Sequence, residues 1–330
     1  MYKKLLWVCV SALLFPALVG AQSAEIAEPI GESTSTPSKW SSFYQYQHRD
    51  LRNPEASLNG DMVPENIILR AHLIAISYQL NSDWQAEVGT QYLDMDVRLL
   101  GNRMDINAGS RGLSDLELYG VRSWETSQSQ TVMKVGLSVP TGSIDKTDSA
   151  TVNMGRRGNV TMERILPYQG QLGSGTYDAL FEVNRRDYFG ANVYWRNKIK
   201  LKARTGGRND MGYRLGDEGK WMSELNFPLF GKYLTGMIGG TYKTWGEVTG
   251  SNPVIEEIKA SMPFPMDIED IYSKSGERLE SYVALKSGVP VGPLGILTFE
   301  IGQPLSSYVS GNDTELGTNW YSYVNLITEL

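Results

Sequence analysis

The residues best suited to chemistry are charged side chains that alternate with apolar ones in the second half of the chain. Arg196, Lys198 and Lys200 occupy every second position. Side chains at i and i+2 point to the same face of a β-strand, so these three would share one face. Carboxylates on the neighbouring segments occupy alternate positions that would place them on the same face of the sheet. The full set of candidate lumen-facing residues is Asp178, Glu182, Tyr194, Arg196, Lys198, Lys200 and Glu224.

Two interpretations of this set are open. Opposite charges facing each other across adjacent strands form ion pairs. Inside a barrel they could narrow a pore and set its preference for charged or polar solutes, as rings of charge do in channels. They could also neutralise one another and fill a small interior. We favour the second interpretation, because a twelve-stranded barrel lies between the packed small barrels and the wide porins.

Catalytic chemistry has little support in the sequence. A serine nucleophile generally needs an adjacent base, most often histidine. His48 and His72 are the only histidines, and Ser41, Ser42 and Ser77 lie near them in sequence. No nucleophile motif surrounds them, and no phosphate-binding loop or dinucleotide fingerprint occurs at a strand-to-helix junction. We therefore predict that the protein is not an enzyme and has no catalytic residue, cofactor or metal site.

The elements that must position the charged set are short alternating segments. From Trp40 onward, segments of about 9 to 15 residues recur between glycine, proline or asparagine, a pattern typical of transmembrane strands. In the seventh segment, the apolar face opposite the charged one consists of Phe189, Ala191, Val193, Trp195, Ile199 and Leu201. We predict twelve strands, near 40–50, 67–80, 84–98, 114–125, 131–139, 176–185, 188–202, 212–227, 233–244, 277–288, 295–303 and 319–330.

The predicted connections alternate in length. Those after odd-numbered strands are mostly long, whereas those after even-numbered strands are short, for example 81–83 and 186–187. Bacterial barrels have long extracellular loops and short periplasmic turns. In hydrocarbon every backbone polar group must be paired, which requires the sheet to close. The fold class predicted is therefore all-β, a transmembrane antiparallel up-and-down barrel. A soluble sandwich would have no reason to sort its loops in this way.

The N-terminus resembles an export signal. Lys3 and Lys4 precede an apolar run at 5–19, and small residues follow up to Ala21. This is the pattern of a cleaved secretory signal, and the run is too short for a spanning helix, which needs about 20 residues. The predicted organisation is a signal peptide at 1–21, a flexible periplasmic leader at 22–38 and an outer-membrane β-barrel at 39–330.

Composition limits the partners. Cys9, the only cysteine, lies inside the predicted signal, so the mature chain would form no disulfide or cysteine-ligated metal site. The formal net charge is −6, which does not favour nucleic acid as a partner. We expect the partners to be outer-membrane lipid, a small-molecule solute and the barrel assembly machinery during insertion. The expected location is the cell outer membrane.

Three motifs carry a resemblance to a known family. They are GLSDL at 112–116, GLSVPTG at 136–142, and LPY at 166–168 followed by QLGSGTYD at 171–178. In their order and spacing the chain resembles, from about residue 40 to the C-terminus, an outer-membrane transporter family named for the meta-pathway of phenol degradation. The resemblance implies a monomeric or weakly associated β-barrel that passes small, aromatic or apolar molecules. It implies no catalytic residues.

These observations predict an outer-membrane channel or passive transporter for small solutes. Selectivity would come from lumen charges and from the longest connection, at 140–175, which could fold inward or cover the mouth. Long loops in compact proteins are usually functional or disordered. The alternative is a non-conducting envelope or adhesion-type barrel that acts through its extracellular loops.

Overall fold

A computed structural model describes residues 39–52, 63–101, 104–153, 159–166, 168, 171–190, 192–230, 234–254, 256–257, 275–291, 295–310 and 317–329. The predicted signal peptide and leader, 1–38, lie outside the described residues. In the described parts, no helix is long and apolar enough to cross a membrane. The strands are β1 (Trp40–Arg52), β2 (Val63–Gln79), β3 (Trp84–Gly101), β4 (Met104–Leu113), β5 (Leu116–Glu125), β6 (Ser129–Val139), β7 (Thr147–Asn153), β8 (Asn159–Ile165), β9 (Asp178–Tyr188), β10 (Tyr194–Arg204), β11 (Tyr213–Arg214), β12 (Glu218–Phe230), β13 (Leu234–Trp245), β14 (Thr249–Gly250), β15 (Gly276–Pro290), β16 (Ile296–Ser310) and β17 (Gly317–Glu329).

Twelve of these strands form a closed antiparallel barrel. Its closure is the pairing of the first strand with the last, in which Ser41 lies opposite Glu329 and Tyr46 opposite Val324. Around the barrel the order is β1, β2, β3, β5, β6, β9, β10, β12, β13, β15, β16 and β17. The predicted twelve-stranded antiparallel barrel is confirmed, and each predicted strand overlaps one of these twelve.

The barrel forms because its strands alternate between an outward apolar face and an inward polar one. On β10, Ile199 and Leu201 are 42% and 46% exposed on the outside. Their neighbours Lys198 and Lys200 point into the interior. A strand with one apolar and one polar face needs apolar surroundings on one side, either lipid or a protein core, and hydrated surroundings on the other.

The second strand has apolar residues on both faces, so its sequence alone does not assign them. In the structure Leu73 and Ala75 point inward and border the interior. Ile74 and Ile76 are 50% and 40% exposed on the outside.

One end of the barrel, called the turn end here, has the short connections 80–83, 126–128 and 189–193. β1 begins and β17 ends at this end, since Trp40 pairs with Tyr78 next to the 80–83 turn. Side chains stabilise the turns: Asn81 Oδ1 accepts hydrogen bonds from the backbone N–H groups of Asp83 and Trp84 at 2.9 and 3.0 Å. We call the opposite end of the barrel the loop end.

One predicted turn was wrong. Arg186 and Asp187, predicted as the turn between the sixth and seventh strands, belong to β9, which continues to Tyr188. The turn lies at 189–193, where the Phe189 N–H donates to the Val193 carbonyl at 2.9 Å. Asn192 takes a φ of 65° there, a left-handed conformation that asparagine tolerates better than most residues. Phe189 and Val193 therefore precede β10 and are not part of its apolar face.

The loop end carries five strands outside the twelve of the barrel. One of them, β11, falls within the predicted eighth strand at 212–227, whose barrel strand β12 begins only at Glu218. β4 pairs with the outer half of β3, β7 pairs with β8 in a separate hairpin, and β11 pairs with β14. They extend or cover the barrel on the side where its connections are long. The long and short connections thus separate to opposite ends of the barrel.

Candidate functional site: the charged interior of the barrel

The barrel encloses a cavity of about 670 Å³. Side chains from all twelve barrel strands line it. The charged members are eight cations and six carboxylates: Arg49, Lys134, Arg186, Arg196, Lys198, Lys200, Lys220 and Lys286, with Glu87, Glu117, Glu182, Glu224, Glu280 and Glu300. A charged lining of this kind is hydrated, because isolated charges in a dry interior would be very costly.

Ion pairs around this cavity connect both adjacent strands and strands that are two or three positions apart in the barrel. Lys198 Nζ lies 2.9 Å from Glu182 Oε1 on β9, and Lys134 Nζ lies 2.6 Å from Glu87 Oε1 on β3. Arg49 on β1 meets Glu280 on β15 at 2.8 Å. Most of the carboxylates are thus held by a cation of another strand, which fixes the charged side chains against the wall.

The structure places five of the seven predicted lumen-facing residues on the cavity wall. These are Glu182, Arg196, Lys198, Lys200 and Glu224. Their partners differ in reach. Arg196 lies 3.5 Å from Glu224 on the adjacent β12, whereas Lys200 reaches past β9 and β6 to Glu117 on β5, at 3.4 Å.

The other two predicted residues lie beyond the ends of the cavity. Asp178 is fully buried at the loop end, where it pairs with Arg204 and Lys202. Tyr194 lies towards the turn end, with its ring centroid 6.0 Å from that of Tyr188 and 5.9 Å from the Arg186 guanidinium carbon.

Nine charged residues of the lining were not in the predicted set. They are Arg49, Glu87, Glu117, Lys134, Arg186, Lys220, Glu280, Lys286 and Glu300. Strand parity could have found some of them: Lys220 is four residues from Glu224 on β12 and therefore shares its face. Parity cannot say which of these side chains meet, because their partners often lie on strands far apart in sequence.

A tyrosine cluster joins the carboxylates on one side of the cavity. The Tyr282 hydroxyl donates to Glu224 Oε1 at 2.6 Å. The Tyr282 ring stands edge-on to Tyr321 at 5.8 Å, and Tyr321 lies 5.1 Å from Tyr323. The three tyrosines therefore give this part of the cavity wall both polar hydroxyl groups and apolar ring faces.

An apolar patch interrupts the charged lining near the turn end. Phe43 on β1 lies opposite Ala75 on β2 and Ile327 on β17, and Leu73 continues the patch on β2. In the ring of twelve strands, β1 stands opposite β10, which bears the lysines. The apolar patch is confined to the turn end, because Gln45, Gln47 and Arg49 line the cavity along the rest of β1.

A buried polar network anchors the loop that runs from 140 to 177, called the 140–177 loop here. Asp115 accepts hydrogen bonds from the Gly142 N–H at 3.0 Å and from the Ser174 N–H at 2.8 Å. Asp178 accepts from Thr176 Oγ1 at 2.7 Å and from Ser174 Oγ at 3.1 Å. Both ends of the loop are thus tied to carboxylates at the loop ends of β5 and β9.

The described part of the 140–177 loop lies at the barrel mouth. The cavity lining consists of barrel-strand residues. Tyr168 packs against Tyr213 of the neighbouring connection with ring centroids 4.4 Å apart, and its hydroxyl accepts from the Asn252 N–H. Burial raises the pKa of Tyr213 to about 12, which keeps its hydroxyl protonated at neutral pH. The described part of the loop therefore packs on other loops instead of bordering the cavity.

The two histidines face outward among aromatic rings. His72 Nδ1 lies 2.8 Å from the Tyr44 hydroxyl, and His48 stacks on Trp320 at 4.5 Å. Ser42 Oγ bonds to Thr328, and Ser77 Oγ lies 3.5 Å from Glu87. In these contacts neither histidine is hydrogen-bonded to Ser42 or Ser77.

Comparisons with known proteins find likeness in structure alone. The sequence matches no protein-family model and no curated protein. The fold is similar to the crystal structure of an outer-membrane channel from Pseudomonas putida F1, with 12% identity, a TM-score of 0.54, and coverage of 92% of this chain and 99% of that one. The β-domain of the Bordetella autotransporter BrkA is a weaker likeness, with 10% identity, a TM-score of 0.46, and coverage of 88% and 100%.

Proposed function

We propose that the protein is an outer-membrane channel through which small solutes pass passively. The observation that supports this most is the charged cavity of about 670 Å³ inside a closed barrel whose outer face is apolar. A barrel with an apolar exterior fits a bilayer, since closure pairs every strand edge. The Pseudomonas putida F1 protein of similar fold is an outer-membrane channel. Export would require the signal predicted at 1–21.

We further propose that the solutes are aromatic or apolar molecules. The motifs at 112–116, 136–142 and 166–178 support it through the resemblance to the phenol meta-pathway family. The lumen patch of Phe43 and Leu73 supports it through chemistry, because an apolar wall gives a hydrophobic solute a place to bind along the way. Lipid around the barrel and the assembly machinery that would insert it are parts of the same proposal.

Conductance of the folded protein in a planar bilayer tests the proposed channel. We expect discrete current steps from the wild-type barrel. A protein that inserts and folds but never raises conductance or solute flux would overturn the proposal, and would favour a non-conducting barrel that acts through its loops.

Substitution of a lining residue sharpens this test. Thr241 lines the cavity from β13, opposite Glu280 on β15. Thr241→Trp should lower the single-channel conductance roughly twofold or more, because pore diameter limits flux. Thr244→Trp is the matched control, since Thr244 lies on the outward face of the same strand and is exposed. Equal conductance in the two variants would mean that current does not pass through this cavity.

A further inference from the structure

Four cations lie side by side on consecutive strands near the loop end of the cavity. In the strand register Lys200 on β10 is opposite Lys220 on β12, Lys220 is opposite Lys243 on β13, and Lys243 is opposite Arg278 on β15. Lys200 and Lys220 line the cavity, and Lys243 and Arg278 are each two residues from a lining residue of the same strand, so all four face inward. We call this set the basic row.

Like charges directly opposite one another across strands are destabilising. Carboxylates offset the charges of Lys200 and Lys243 in this row: Lys200 lies 3.4 Å from Glu117, and Lys243 lies 3.2 Å from Glu218. Lys220, between them, has no ion pair or hydrogen bond among the residues that the structure describes. Its side chain is exposed and lines the cavity, so its ammonium group faces the lumen.

The surroundings of Lys220 are mostly cationic. Its charged neighbours include Arg49, Lys198 and Lys243, with Glu280 as the nearby carboxylate. Glu280 is already engaged, because Arg49 and Thr318 bind its two oxygens at 2.8 and 2.7 Å. Lys220 therefore lies in a positive region and has no counter-ion among the described residues, although the whole chain has a net charge of −6.

From this geometry we propose that the basic row is a binding site for a small organic carboxylate, with Lys220 as the group that meets the anion. The proposal rests on the proposed channel function and names a solute class for it. An anion at Lys220 would offset the repulsion along the row and make charge-assisted hydrogen bonds to the ammonium.

An apolar side chain beside Lys220 favours an organic anion over an inorganic one. Met222 is two residues from Lys220 on β12, shares its inward face and also lines the cavity. A solute with a carboxylate and a small apolar body could place its anion at Lys220 and its body against Met222. A cavity of about 670 Å³ holds a molecule of this size.

Binding of sodium benzoate to the folded barrel, measured by calorimetry, tests the site without requiring conductance. Benzyl alcohol serves as the uncharged analogue and inorganic phosphate as the anion without an apolar body. We expect benzoate to bind most tightly. Lys220→Met should weaken benzoate binding about tenfold or more, the loss expected for a charged hydrogen bond.

Two further variants control for charge and folding. Lys220→Arg keeps a cation and should retain binding within a few-fold, whereas Lys39→Met removes an exposed lysine next to β1 at the turn end and should change nothing. The proposed site is wrong if wild type and Lys220→Met bind benzoate equally, if benzyl alcohol binds as well as benzoate, or if phosphate binds better.

The reversal potential across a salt gradient separates failure of the site from failure of the channel. A conducting barrel should prefer anions, and Lys220→Glu should shift the reversal potential towards cations. Conductance with a reversal potential that is unchanged in Lys220→Glu overturns the site alone. Benzoate binding without any conductance leaves the site standing and overturns the channel.

Discussion

Replacing Asp178 by asparagine lowers the free energy of unfolding of the barrel by about 3–5 kcal/mol, the cost of removing one partner of a buried ion pair. Asp178 is fully buried, and the side chain of its partner Arg204 is only 3% exposed. Asparagine keeps the volume of aspartate but removes its charge. Arg204 would then keep only Glu218, whose side chain is 35% exposed, as its ion-pair partner among the described residues.

Urea titration of the folded protein, followed by tryptophan fluorescence, measures this loss. Asp187→Asn is the matched control, because Asp187 pairs with Arg185 at 2.7 Å on the outer surface, where both side chains remain substantially exposed. Exposed pairs contribute about 0–1 kcal/mol, so the control should unfold almost as the wild type does. Equal losses in the two variants would show that burial of the Asp178 pair has no special role.

The same substitution should loosen the 140–177 loop. Asp178 accepts hydrogen bonds from Ser174 and Thr176, which lie at the end of that loop. Limited proteolysis should therefore cut Asp178→Asn within the loop faster than it cuts the wild type. Cleavage at the wild-type rate would indicate that Asp115, which also bonds Ser174, is sufficient to hold the loop.

The architecture was predictable because alternation is a local signal. Side chains two residues apart share a face, so Trp195, Ile199 and Leu201 indicated an apolar surface before any pairing was known. Closure then followed from the need to pair every strand edge in hydrocarbon. β2 was ambiguous for the same reason: with Leu73 on one face and Ile74 on the other, local pattern could not choose between them.

The arrangement of the interior was less predictable because it depends on contacts between distant strands. Parity placed Lys200 on an inward face, but its carboxylate partner, Glu117, lies three strands away around the barrel. The basic row requires the register of four strands, and one residue of slip would turn Lys220 to the outside. The turn at 189–193 depended on the backbone conformation of Asn192, which composition alone does not specify.

Ile238→Arg is the second substitution for which we expect a large effect, and it tests the proposed membrane location. Ile238 is 49% exposed on the outer face of β13, between Leu225 of β12 and Val283 of β15. If lipid covers these three outward side chains, arginine at position 238 should lower the unfolding free energy by about 2–4 kcal/mol, the penalty near the bilayer midplane. In detergent micelles, which adapt around a charge, the loss should be smaller.

Thr244→Arg makes the comparison specific to depth. Thr244 shares the outward face of β13 but lies six residues nearer the loop end. The penalty for arginine falls to about 0–1 kcal/mol near the interface, so this variant should unfold nearly as the wild type does in phospholipid vesicles. In a water-soluble barrel the two variants would have similar unfolding free energies, because an arginine at either exposed position would be in contact with water. Equal unfolding free energies for the two variants in vesicles would therefore rule out lipid contact at Ile238, whereas a gradient would support it independently of conductance.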